Sequence, residues 1–182
     1  SCFAPSSSLA SAVTDSDLPF LSLVETAEMI RRRLISSTEL TIMMLKRIDA
    51  IDDTWKAYAT VMSESALQEA RTADEEIERG NYKGRLHGIP IAVKDLCFTK
   101  GVRTMGGCAV RKEFVPAYDA TVITRYKEAG AVMLGKLNLT EGAMAGYNRE
   151  LEVPANPWNP QAWPGCSSSG SGVAAAAGLA YG

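Results

Sequence analysis

With 182 residues, 46% of them hydrophobic and 22% charged, the chain can bury a core of its own and has the balance of a globular domain. A net charge of −2, with no basic run longer than Arg31-Arg32-Arg33, argues against a nucleic-acid partner. No apolar run reaches membrane-spanning length. Four cysteines without a Cys-x-x-Cys pair, beside the single histidine His87, argue against a zinc site. The isolated thiols fit a reducing, cytoplasmic setting.

Residues 1–20 are rich in Ser, Ala and Pro and lack the pattern of a secretory signal, so a loose or disordered arm is expected there. Residues 21–182 are expected to form one domain. Ser22-Leu23-Val24-Glu25 and Ser36-Ser37-Thr38-Glu39 are capping-box patterns, each opening a helix, the first running to about Leu34. Leu40, Met43, Met44, Arg47 and Ile48 have helical spacing, with the methionines as core filler. The arginine run falls on a solvated helix face. Tyr58 to Met62 reads as a short strand. Ser63 then caps a polar helix that carries Ala66, Leu67, Ala70, Ala73 and Ile77 on one face and ends at Gly80. The acidic run Asp74-Glu75-Glu76 reads as solvated.

Gly88-Ile89-Pro90-Ile91-Ala92-Val93-Lys94-Asp95 carries a strand apolar enough to be buried on both faces, and it delivers Lys94 and Asp95 at its end. A lysine in that place has two readings. Desolvation makes an amine a usable base; equally, the stem can pack while the ammonium reaches water. Asp119 is the expected cap of a helix that ends at Gly130, and Ala131 to Leu134 is a second buried strand. Together these make a β–α–β unit with parallel strands. Gly130 to Lys136 resembles a phosphate-binding Walker A loop only superficially, because Leu137 stands where Ser or Thr is required. Asn138 to Gly146 reads as a short helix and turn, and Asn156-Pro157-Trp158-Asn159-Pro160 as a rigid extended approach to a loop of glycines and serines.

That loop is Pro164-Gly165-Cys166-Ser167-Ser168-Ser169-Gly170-Ser171-Gly172, feeding the alanine-rich helix from Val173. A Gly/Ser loop at a helix start suits a hydroxyl relay, an anion cradle or a flexible linker. The wholly apolar stretch after it argues against the linker.

Taken in order, the Lys94 stretch, Asp119-Ala120-Thr121-Val122, Gly135-Lys136-Leu137-Asn138, Asn156-Pro157-Trp158-Asn159 and the Gly/Ser loop resemble the amidase signature family, from about Leu21 to Gly182. The resemblance implies an α/β fold, an α/β/α sandwich around a mixed, partly parallel sheet. It implies hydrolysis of a small-molecule amide by a Ser-Ser-Lys triad through an acyl-enzyme, with no metal or organic cofactor. Lys94 matches the family's catalytic lysine. Ser167 matches the bridging serine, which in the family sits at a cis peptide bond. The acyl-forming serine belongs to a later Gly-Gly-Ser motif, which these 182 residues do not contain. The expectation is therefore an N-terminal portion of a longer enzyme, inactive alone, with a homodimer left open. Cys166, Ser169, Gly142 and Leu96-Cys97 depart from common family residues and lean toward a hydrolase. The alternatives are a glutaminase subunit of a tRNA-dependent amidotransferase and, in another class, a non-catalytic anion-binding module.

Overall fold

The protein is described by a computed structural model covering residues 14, 16–144 and 146–181. Both capping boxes form. Ser22 Oγ accepts the Glu25 N–H and the Glu25 carboxylate accepts the Ser22 N–H, opening α1 (Leu23–Arg31); Ser36 and Glu39 do the same for α2 (Ser37–Trp55). Helix α1 stops short of Leu34 because Arg33 takes a left-handed conformation, φ 57°. The Arg33 guanidinium donates to the carbonyls of Ile77 and Glu78, so it tethers two helices, while Arg31 and Arg32 pair with Glu28 at the surface. All three arginines are exposed as expected, but Arg33 lies past the end of the helix instead of on its face. Leu18–Phe20, at the end of the expected arm, form a 3₁₀ turn with Leu18 and Pro19 buried; residues 1–13 of that arm lie outside the described residues.

Strand β1 (Tyr58–Val61) runs directly into α3 (Ser63–Glu78). Ser63 is not the cap expected of it. Met62 holds that place without a side-chain bond, because its N–H is still paired to the Leu134 carbonyl of the sheet and the helix starts at the next residue. The acidic run is also not simply solvated. Asp74 accepts the backbone N–H groups of Ser37 and Thr38 at 2.7 and 2.9 Å, so a carboxylate from α3 satisfies the positive start of α2. Glu76 holds Lys83 and His87.

Strands β2 (Pro90–Lys94) and β3 (Val132–Leu137) are parallel, joined through α4 (Thr121–Glu128), and β1 pairs antiparallel on the other side of β3. The order β1-β3-β2 makes a mixed, partly parallel sheet, and α2, α3 and α5 (Ser169–Ala176) pack on it. Burial on both faces explains the unbroken apolar runs, with Ile89, Val132, Leu134 and Leu137 at or near zero exposure beside Leu40, Met44 and Val173. Asp119 does not cap α4. Ala120 flanks the helix, and Asp119 accepts the Lys100 N–H and the Lys127 ammonium at 2.7 and 2.6 Å, bridging the preceding loop to the helix. Among the described residues no helix is long and apolar enough to cross a membrane.

One strand position admits only glycine. A Cβ on Gly135 would lie 2.2 Å from the Thr60 carbonyl oxygen and 2.9 Å from the Tyr58 ring, so β1 and β3 approach there closely. Gly135→Ala is therefore expected to lower stability well beyond the loss of about 1 kcal/mol expected for removing a cap with Ser36→Ala. Urea unfolding of the two variants checks the order.

Candidate active site

The C-terminal ends of β2 and β3 form the floor of the site. Their register sets Lys94 opposite Leu137, so Asn138 emerges beside Lys94. Asn138 is buried, and its side-chain amide donates to the carbonyls of Lys56 and Tyr58, which ties the end of β3 to the start of β1.

Helix α5 begins against this floor. The Gly170 N–H donates to the Asn138 carbonyl at 3.0 Å. A Cβ on Gly170 would lie 2.5 to 2.6 Å from the backbone atoms Asn138 O, Asn138 N and Ala57 O, so only glycine lets the loop sit this deep. The other end of the helix is equally fixed. Arg47 donates to the carbonyls of Ala177 and Gly178 at 2.8 to 3.1 Å, placing a cation at the negative helix end. Beyond it, the buried Tyr58 hydroxyl donates to the Leu179 carbonyl and the Tyr181 N–H to the Pro90 carbonyl.

Ser167, three residues before Gly170, is thereby carried back over the end of β2. Lys94 Nζ and Ser167 Oγ lie 2.5 Å apart in hydrogen-bond contact, across 73 residues of sequence. The Lys94–Ser167 contact is itself only partly buried. The structure brings the two candidate residues together. One feature of the expectation is overturned: every peptide bond among the described residues is trans. The chain reverses by torsion instead. Ser167 stands at φ 67°, and the Ser168 N–H donates across it to the Cys166 carbonyl at 3.0 Å, a γ-turn with its central residue in the left-handed region. For a residue with a Cβ that conformation costs on the order of 1–3 kcal/mol, which the docked helix must offset.

The anion-cradle reading loses its main donor here. The Gly170 N–H, which would face an anion at the helix start, already serves Asn138. Ser169 is buried with its hydroxyl unpartnered, and Ser168 is exposed. Among the described residues no three His, Cys, Asp or Glu side chains gather as metal ligands would. Cys97, Cys108 and Cys166 are free thiols, and burial raises the pKa of Cys97.

A buried ion pair lies directly behind Lys94, and the sequence reading did not anticipate it. Asp95 and Lys136 are 1% and 0% exposed, with Lys136 Nζ 3.2 Å from Asp95 Oδ1. That contact lacks hydrogen-bond geometry and acts through charge. Lys136 Nζ donates instead to Thr104 Oγ1 at 2.7 Å, and Asp95 Oδ2 accepts the Met105 N–H at 2.8 Å. Burial pushes the Asp95 pKa up and the Lys136 pKa down, while their mutual attraction opposes both shifts. The available signal was a lysine inside an otherwise apolar strand, since a charge there requires a partner.

His87 takes no part. It is fully buried, its Nδ1 accepts the Lys83 N–H at 3.0 Å, and Nε2 therefore carries the proton toward Glu76 at 2.9 Å.

With this geometry in place, comparison with known proteins is direct. Residues 39–182 match the sequence model of the family described as Amidase. AmiD of Mycobacterium tuberculosis is 54% identical over 162 residues, 89% of this chain and 34% of the relative. A glutamyl-tRNA(Gln) amidotransferase subunit of Moorella thermoacetica is 45% identical, covering 91% of this chain and 34% of its own length. Among solved structures, the peptide amidase of Stenotrophomonas maltophilia superposes with a TM-score of 0.83 at 34% identity, over 90% of this chain and 36% of that one. The chain spans about a third of the length of the curated relatives it matches.

Burial depresses the His87 pKa below its ordinary 6.5, so the fold favours the neutral ring. The resulting stability is complete above about pH 6.5 and is lost as the pH falls through the depressed value. A His87→Gln variant is expected to lose that part of the pH dependence. Thermal unfolding between pH 7.5 and 5 reads the difference.

Proposed function

Since the chain belongs to the amidase family, we propose that it contributes the base and the bridging hydroxyl of a serine relay that hydrolyses a carbon–nitrogen amide bond. The observation that carries this reading is the 2.5 Å contact between Lys94 Nζ and Ser167 Oγ. A serine hydroxyl is a weak nucleophile until a base removes its proton. With Lys94 as the free amine, Ser167 passes its own proton to Nζ and takes one from the attacking serine. That attacking serine lies in the part of the enzyme beyond these 182 residues. Its oxygen adds to the amide carbonyl, the leaving amine takes a proton back along the same path, and water then releases the acyl group by the relay in reverse. Placement at the carboxyl ends of parallel strands is the usual location for a ligand crevice in such a sheet. Positioned proton transfer of this kind contributes typically about 10²–10⁴-fold. The chemistry needs no cofactor, and the free thiols suit a cytoplasmic setting.

A second reading comes from the relative named as an amidotransferase subunit. The same relay would then release ammonia from glutamine for transfer to an aminoacyl-tRNA. The higher identity to AmiD favours the free-standing hydrolase. Glutaminase activity that appears only with a partner subunit selects the amidotransferase.

In the complete enzyme, Lys94→Ala is expected to lower amide turnover by at least 10²-fold with the thermal unfolding curve unchanged. Retained turnover in that variant removes Lys94 from the relay. The 182-residue chain alone, assayed with a chromogenic amide or ester, is expected to show no acyl transfer; a burst of product stoichiometric with protein would contradict the placement of the nucleophile elsewhere.

A further inference from the structure

The Asp95–Lys136 pair has no evident stabilising purpose. Two buried charges lose their hydration, and their attraction often returns no more than that loss. A well-packed apolar pair of the same volume is commonly as stable or more so. Here one carboxylate oxygen even lacks a hydrogen bond. What the pair does hold is the backbone around Lys94.

Asp95 is the next residue after Lys94, and four of its groups are tethered. Its N–H donates to the Leu137 carbonyl at 2.8 Å and its carbonyl accepts the Gly106 N–H at 2.8 Å. Oδ2 accepts the Met105 N–H, and Oδ1 faces Lys136 Nζ. Lys136 comes from β3, where it pairs with Val93, so the ammonium reaches Asp95 from the neighbouring strand. Thr104 fixes that ammonium from the third side. The turn Thr104-Met105-Gly106 is thereby clamped onto the end of β2. The turn also meets the loop after β3, since the Gly106 carbonyl accepts the Gly142 N–H at 2.9 Å.

We propose that Asp95 and Lys136 are a positioning pair for Lys94: the buried charge contact, locked by Thr104 and Met105, sets the end of β2 so that the Lys94 amine meets the Ser167 hydroxyl. Neither residue touches substrate. The proposal rests on the Lys94–Ser167 relay for its catalytic consequence, but its geometric content concerns this chain alone. A loss of register at a proton-transfer contact is costly, since a displacement of about 1 Å can lower a rate by about 10²-fold.

The test removes both charges together, with Asp95→Asn and Lys136→Met, so that no buried charge is left unpaired and Asn still accepts the Met105 N–H. Two readings are taken. In the complete enzyme, the rate at which acetic anhydride labels the Lys94 amine is followed by peptide mass spectrometry, with exposed Lys100 and Lys112 as internal standards. In the complete enzyme, kcat and KM for an amide are measured separately. The expected result is labelling of Lys94 that rises several-fold over the standards, kcat lower by about 10²-fold and KM nearly unchanged. Unchanged labelling together with unchanged kcat overturns the proposal. In a double variant that folds, a fall in kcat matched by a rise in KM also overturns it, because that is what a merely structural pair would give. Should the double variant not fold, Thr104→Val loosens only the Lys136 ammonium, and it is expected to shift labelling and kcat in the same directions by a smaller factor; no shift counts against the pair. If the wild-type complete enzyme turns over no amide, the relay reading fails by itself, and the labelling result still decides the positioning.

Discussion

The seat of Gly170 on the backbone of Asn138 and Ala57 is the contact on which the rest of the site depends. It is a steric condition, satisfied only by the absence of a side chain, and it sets the depth of the whole Gly/Ser loop. Because α5 is also held at its far end by Arg47, the helix cannot slide to relieve the crowding. The position of Ser167 over the end of β2 is a consequence. So is its left-handed torsion, which turns the hydroxyl toward Lys94 and which the packed helix must sustain.

The protein buries or half-buries several polar groups, and each has a distinct job. Asp74 satisfies the start of α2, and Asn138 joins β1 to β3 through two carbonyls. His87 closes the turn before β2 as a neutral ring between Lys83 and Glu76. Asp95 and Lys136 differ from these in carrying opposite charges at zero or near-zero exposure, a costly arrangement that makes sense beside a residue whose exact placement matters. Polar groups in a core specify geometry as well as adding stability, and here Asp95, Lys136 and Asn138 stand at the carboxyl ends of the two parallel strands.

Family membership rests on a match over residues 39–182, and the fold is shared with solved amidases at TM-scores above 0.8. The chain nevertheless spans about a third of those relatives. It holds Lys94 and Ser167, the two residues to which the proposed relay assigns the passage of protons. In the segment that leads to the Gly/Ser loop, Trp158 and Trp163 stand open to solvent at 85% and 58% exposure.

Local chemistry was legible in the residues themselves. Both capping boxes, the apolar strands, the parallel pairing and the order of the motifs arise from short-range patterns, because a cap or a buried strand is decided by its immediate neighbours in sequence. The caps assigned to Ser63 and Asp119 failed for a related reason. A polar residue at the right spacing is taken over when a longer-range partner competes, as the sheet does through Met62 and as Lys100 and Lys127 do for Asp119. Lys94 and Ser167 could be named from their motifs, yet their meeting across 73 residues, the trans reversal at Ser167 and the pairing of Lys136 with Asp95 arise only when the strands register and α5 docks. Sequence by itself determined which elements form and which residues are candidates for the chemistry, since those depend on local hydrogen bonding and hydrophobic pattern. Tertiary structure alone decided which side chains touch, since contact between distant segments depends on the packing of the whole core.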